Sequence, residues 1–196
     1  MAILNRCAPV LILIVLLSKA SAQSDGTLKA NLSGLNVVTA VLERLDSVSN
    51  IFDHLDGNWN IAKVFLRRLA YVETEDGRHY SPGGIWNITV DTLNTTRTYV
   101  DSNRLRQRLN DSLQIDWLTV EYTDLSRPLY SGLAAVLVLD EIYGDSELES
   151  AQTSNTIFNL HARLWEHFGG GDHDVWNDRV NELLDTHGKF SSPMHA

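Results

Sequence analysis

The sequence predicts a mainly α, single-domain fold with at most a small hairpin after the second helix. Three observations carry this expectation. Apolar residues recur at three- and four-residue spacing from Leu35 to Leu55, and again from Ile61 to Val72. The run from Leu129 to Tyr143 is apolar nearly all round, as a helix buried at the centre of a fold would be. Only Gly83–Val90 alternates, and weakly, so little of the chain asks for a sheet.

Taken in order, residues 1–22 read as a signal peptide: Arg6 precedes the apolar run Ala8–Leu17, and Ala20 and Ala22 fit a small-residue cleavage pattern. The run is too short to span a bilayer comfortably, so the expectation is a secreted, extracellular protein with no membrane partner. Residues 23–34 read as a loose lead-in to a helical domain over residues 35–188. The first helix is expected over Leu35–Leu55, broken by Asp56-Gly57-Asn58. The second starts at Asn58 to Asn60 and ends between Glu73 and Asp76, with Gly77 as a left-handed cap.

Gly83–Val90 suits a short strand or extended arm, and Asp91–Asn110, polar and Arg-rich, suits one helix. Trp117–Tyr122 forms a short piece, and Pro128 sits where a first helical turn tolerates it, with Ser126 nearby as a cap. Leu129–Tyr143 is the central helix, ended by Gly144-Asp145. A further helix is expected over Ser154–Phe168, then a loop at Gly169-Gly170-Gly171. The last helix covers His173–His187, capped by Asp172 and stopped by Gly188, with residues 189–196 as a tail.

Composition narrows the function. The 196 residues carry a net charge of −9, which becomes about −11 once Arg6 and Lys19 leave with the leader. No basic stripe is present, which argues against a nucleic-acid partner. The same charge works against adhesion to anionic bacterial walls. The single cysteine, Cys7, lies in the leader, so the mature chain has no thiol for a disulfide, a zinc site or a nucleophile. Asn31, Asn87, Asn94 and Asn110 begin sequons, which fits a glycoprotein; Asn87 is the one expected to stay unmodified.

Chemistry concentrates in Phe65–Ile88, FLRRLAYVETEDGRHYSPGGIWNI. An apolar helix ends in a carboxylate, Glu73. A polar turn follows, and the chain re-enters the core through Ile85, Trp86 and Ile88. A carboxyl at a helix end beside buried aromatics is a candidate general acid. The plainer alternative is a helix-end glutamate paired with Arg67 or Arg78. His167, Asp172, His173 and Asp174 flank a glycine loop and read as capping or solvated groups in preference to metal ligands. Ser131 has no nucleophile-elbow pattern around it.

The layout resembles the first two motifs of the lysozyme-like and lytic-transglycosylase superfamily. Glu73-Thr74 is similar to the helix-ending catalytic Glu, usually followed by Ser; Gly84-Ile85-Trp86-Asn87 is similar to the groove-lining segment, with Asn87 where the family usually has Gln. The segment Leu129–Ala135 resembles the helix behind the groove. The third family motif has no clear match, Trp165 to Phe168 being nearest in position. The resemblance implies an α+β lysozyme-like architecture and a secreted glycan-active hydrolase or transglycosylase that needs no cofactor. Glu73 would be its catalytic acid, with Tyr80, Trp86 and Asn87 lining the sugar groove. Glu75, Asp76 and Asp91 are candidates for a second carboxylate. Two other readings stay open. One is a non-catalytic, acidic extracellular matrix or biomineral-associated glycoprotein on the same frame, binding polysaccharide and, weakly, calcium. The other is a helical secreted ligand, for which Glu73 would be exposed and no groove present.

Overall fold

The computed structural model describes residues 25–55, 57–144, 161–162 and 164–187. The leader, most of the Ser154–Phe168 helix and the tail after His187 lie outside the described residues. Within them the chain is mainly helical and no strand occurs. None of these helices is long and apolar enough to cross a membrane.

Six helices organise the fold: α1 (Leu35–Asp46), α2 (Trp59–Thr74), α3 (Val90–Ser102), α4 (Leu105–Leu113), α5 (Pro128–Gly144) and α6 (His173–His187). Residues 161–162 and 164–166 form further helical turns ahead of α6. As the all-apolar run predicts, α5 is the axis of the molecule. Every residue from Ser131 to Asp140 is buried, and α1, α2 and α3 pack against it. Its small residues let neighbours approach: a Cβ at Gly132 would stand 2.6 Å from Val41 Cγ1 and 3.0 Å from Trp86 Cζ3. The last helix, α6, lies on α2, and Trp176 joins Phe65, Trp165 and Phe168 in one aromatic cluster.

Several local expectations are corrected. The first helix stops at Asp46 rather than Leu55, and a single 3-10 turn, Ser49–Ile51, follows. The apolar spacing persists because Ile51, Phe52 and Leu55 still enter the core. Further on, the buried Asp140 carboxylate on α5 takes the N–H groups of His54 (2.9 Å) and Leu55 (3.2 Å), fixing the non-helical backbone there. Asp91–Asn110 is two helices: Asn103-Arg104 breaks them, with Arg104 at φ 57°. Gly83–Val90 is a turn running into α3, whose N-terminus is capped by Thr89 accepting from the Thr92 N–H at 3.1 Å. Ser126 does not cap α5; its hydroxyl donates to the Thr123 carbonyl at 2.8 Å.

The stretch ahead of α1 is also fixed, not loose. Asp25 caps a 3-10 turn at Gly26–Leu28, Thr27 is buried, and the Asn31 N–H donates to the Ser126 carbonyl at 2.8 Å. The predicted last helix holds over its full length, with Asp172 at its start accepting from the Asp174 N–H at 2.8 Å.

Candidate active site

The site is built on the C-terminal end of α2. Glu73 stands in its last turn, partly exposed, while the next residue, Thr74, is buried. The Thr74 hydroxyl donates to the Ile85 carbonyl at 2.6 Å and accepts the Gly77 N–H at 2.8 Å. One side chain thus ties the helix end to both the turn and the segment that re-enters the core.

Beyond Thr74 three residues in a row are left-handed: Glu75 (φ 50°), Asp76 (φ 62°) and Gly77 (φ 83°). Gly77 accepts this freely, but the cap position itself is taken by Glu75, one correction to the sequence reading. For non-glycine residues the conformation costs about 1–2 kcal/mol each. It is held by a buried ion pair in which Arg67 grips both Asp76 oxygens, at 2.5 and 2.9 Å. The Asp76 N–H returns to the Ala70 carbonyl at 3.0 Å, and its carbonyl accepts the Gly34 N–H at 2.6 Å.

The turn delivers the chain to Gly83 and Gly84, where only glycine fits. A Cβ on Gly83 would stand 2.1 Å from the Ile88 carbonyl oxygen, and one on Gly84 (φ 72°) 2.1 Å from that of Leu125. Ile85, Trp86 and Ile88 then go into the core, and Asn87, at φ 49°, is left facing solvent. Trp86 is fully buried and donates its indole N–H to the Leu66 carbonyl at 2.9 Å, bridging α2 towards α5. It therefore offers no face to a sugar; the expectation that it lines a groove is corrected, because the core claims its ring. Tyr80 lies on the loop between the two turns, 79% exposed.

Asn87 does meet Glu73. Its amide donates to Glu73 Oε2 at 2.8 Å while its carbonyl oxygen accepts the Ser81 hydroxyl at 2.5 Å. The second donor comes from far along the chain: Trp165 Nε1 donates to Glu73 Oε1 at 2.5 Å. Trp165 is itself buried, its ring centroid 5.4 Å from that of Trp176. Gly170 lies so close to the indole that a Cβ there would stand 2.2 Å from Trp165 Cδ2. Sequence reasoning placed Trp165 near an unmatched motif and gave it no role. The contact depends on tertiary docking across 92 residues, which no local pattern encodes.

Of the other carboxylates proposed to assist, Asp76 is committed to Arg67. Glu75 pairs with His79 (3.1 Å) and Arg179 (3.3 Å); burial works to raise its pKa, but these two partners hold it below the ordinary value. Asp91 is exposed in the first turn of α3. All four sequon asparagines, Asn31, Asn87, Asn94 and Asn110, are exposed. His173 pairs with Glu166 at 2.7 Å, and among the described residues no three His, Cys, Asp or Glu side chains converge as a metal site would require.

Two further polar groups are buried in the core. His161 is fully buried against Phe65, and its Nδ1 faces Arg68 Nη1 at 3.0 Å. Burial, reinforced by the Arg68 charge, pushes its pKa down to about 3. Asp140, which holds the His54–Leu55 backbone, also accepts the Tyr99 hydroxyl at 2.8 Å. Burial raises its pKa despite these donors. The molecule is thus a mainly α domain carrying a partly exposed, doubly bonded glutamate at a strained helix end. No protein-family model, curated protein or solved structure matches the chain.

Proposed function

We propose that the protein is a secreted glycan-active enzyme, a lysozyme-like hydrolase or transglycosylase in which Glu73 is the general acid. One observation supports this reading above the others. The Glu73 carboxylate is fixed at both oxygens, by Asn87 and Trp165, yet stays partly exposed at the end of a helix whose turn is strained. A carboxyl with a fixed orientation and an open side is what proton transfer to a bound oxygen requires. In the reaction Glu73 gives its proton to the glycosidic oxygen as the bond from that oxygen to the anomeric carbon breaks, and the bonding pair leaves with the oxygen. Water, or a hydroxyl of the sugar itself, then attacks the anomeric carbon and returns a proton to Glu73.

A second reading, the non-catalytic matrix glycoprotein, has its own support. Both Glu73 oxygens are already satisfied internally, and Glu75 and Asp76 are committed elsewhere. On this reading Glu73, Asn87 and the exposed Tyr80 bind polysaccharide without cleaving it.

The two part on turnover. Purified protein and Glu73→Gln are incubated with peptidoglycan and with chitin oligosaccharides from mildly acidic to neutral pH, and products are separated by mass. The enzyme reading expects cleavage that falls at least 100-fold in the variant while its circular dichroism is unchanged. Folded wild-type protein that cleaves neither glycan contradicts it.

A further inference from the structure

The two bonds on Glu73 are not equivalent. Oε1 is tied to Trp165, which is buried and wedged between Trp176 and the backbone of Gly170. Oε2 is tied to the exposed Asn87, on a polar turn open to solvent. A ligand can replace the Asn87 amide by displacing one surface side chain. Replacing the Trp165 indole would require opening the aromatic cluster with Phe65, Phe168 and Trp176.

We infer that Trp165 is a positioning residue for Glu73: it anchors Oε1 and thereby leaves Oε2, on the Asn87 side, as the oxygen that meets a ligand and carries the transferable proton. The residues around it bear this out in geometry. Trp165 follows His161 by one helical turn, and His161 sits over Phe65 and Arg68 of α2. The segment is therefore docked on α2 at two successive levels, with the indole at the level of Glu73. The polar contact is directional as well: an indole N–H can only donate, so it engages Glu73 only through an oxygen lone pair. A hydrogen bond to a charged group is worth more than one between neutral groups, enough to hold a carboxylate in one rotamer against solvent.

The contact stands independently of the reaction; its kinetic consequence rests on Glu73 being an acid. The test separates the two. The chain has five tryptophans, so the indole region of a nitrogen–proton correlation spectrum holds five resonances from them. The Trp165 signal is the one absent from Trp165→Phe. In Glu73→Ala that signal is expected to move by several tenths of a ppm while the other four stay in place. A Trp165 signal that moves no more than the others overturns the proposal, whatever the activity assay returns. Where wild-type turnover is present, Trp165→Phe is expected to lower kcat about tenfold with KM nearly unchanged. A variant whose kcat is unaltered would also overturn the positioning role. An intact indole shift with no wild-type turnover would sink the enzyme reading alone.

Discussion

Single residues set how the molecule responds to acid. His161 has no room for a charge: it is fully buried, and burial together with Arg68 pushes its pKa from the ordinary 6.5 to about 3. In the unfolded chain it takes up a proton below the ordinary value, while the folded chain stays neutral. The stability that His161 lends is therefore complete above about pH 6.5 and is lost as pH falls toward 3, at up to about 1.4 kcal/mol per unit. Asp140 acts with the opposite sign. Its raised pKa makes the ionised form unfavourable in the fold, so its share of stability declines as pH rises through the carboxylate range. The two are separable by substitution. Urea denaturation of wild type and His161→Gln at pH 7, 6, 5 and 4 is expected to show the wild-type advantage shrinking below pH 6.5. A difference that stays constant across the range would show that His161 is not held neutral.

At the scale of elements, the helices were legible where one force dominated. The near-continuous apolar run announced α5, and Asp172 marked the start of α6, because burial and caps are local signals. The errors came where a tertiary partner decided the backbone. The apolar residues after α1 enter the core without a helix, and the backbone at His54 and Leu55 is held by Asp140, distant in sequence. The α3–α4 break falls at Asn103-Arg104, with neither Gly nor Pro to mark it. The expected strand at Gly83–Val90 failed because Ile85 and Trp86 are both buried in succession, which alternation does not allow.

The candidate site was half visible. Glu73 and Asn87 were singled out and do touch, Trp86 went to the core, and Trp165 was overlooked. The left-handed turn after Glu73 is the element on which the site depends, and Arg67–Asp76 is its brace. Asp76→Asn keeps a residue tolerant of positive φ but removes the charge facing a buried guanidinium. It is expected to destabilise the fold by about 3 kcal/mol in chemical denaturation. A loss within about 0.5 kcal/mol would mean that the ion pair does not brace the turn.

At the scale of the whole molecule, a cysteine-free acidic domain is organised about one buried helix, and two segments distant in sequence converge on one carboxylate. The turn after α2 brings Asn87 to Glu73 from one side, and the segment before α6 brings Trp165 from the other. A net charge of −9 leaves such a protein poorly suited to anionic surfaces, so under the proposed function a neutral glycan is the ligand to test first. The most direct test of this account is a titration of the folded protein with an N-acetylglucosamine oligomer, followed by the side-chain amide signal of Asn87 and the indole signal of Trp165. The account predicts that the Asn87 amide shifts with saturation as the ligand takes its place on Oε2, while the Trp165 indole moves less because Oε1 stays anchored. Saturable shifts confined to another face, or none at all, would contradict Glu73 as the glycan site.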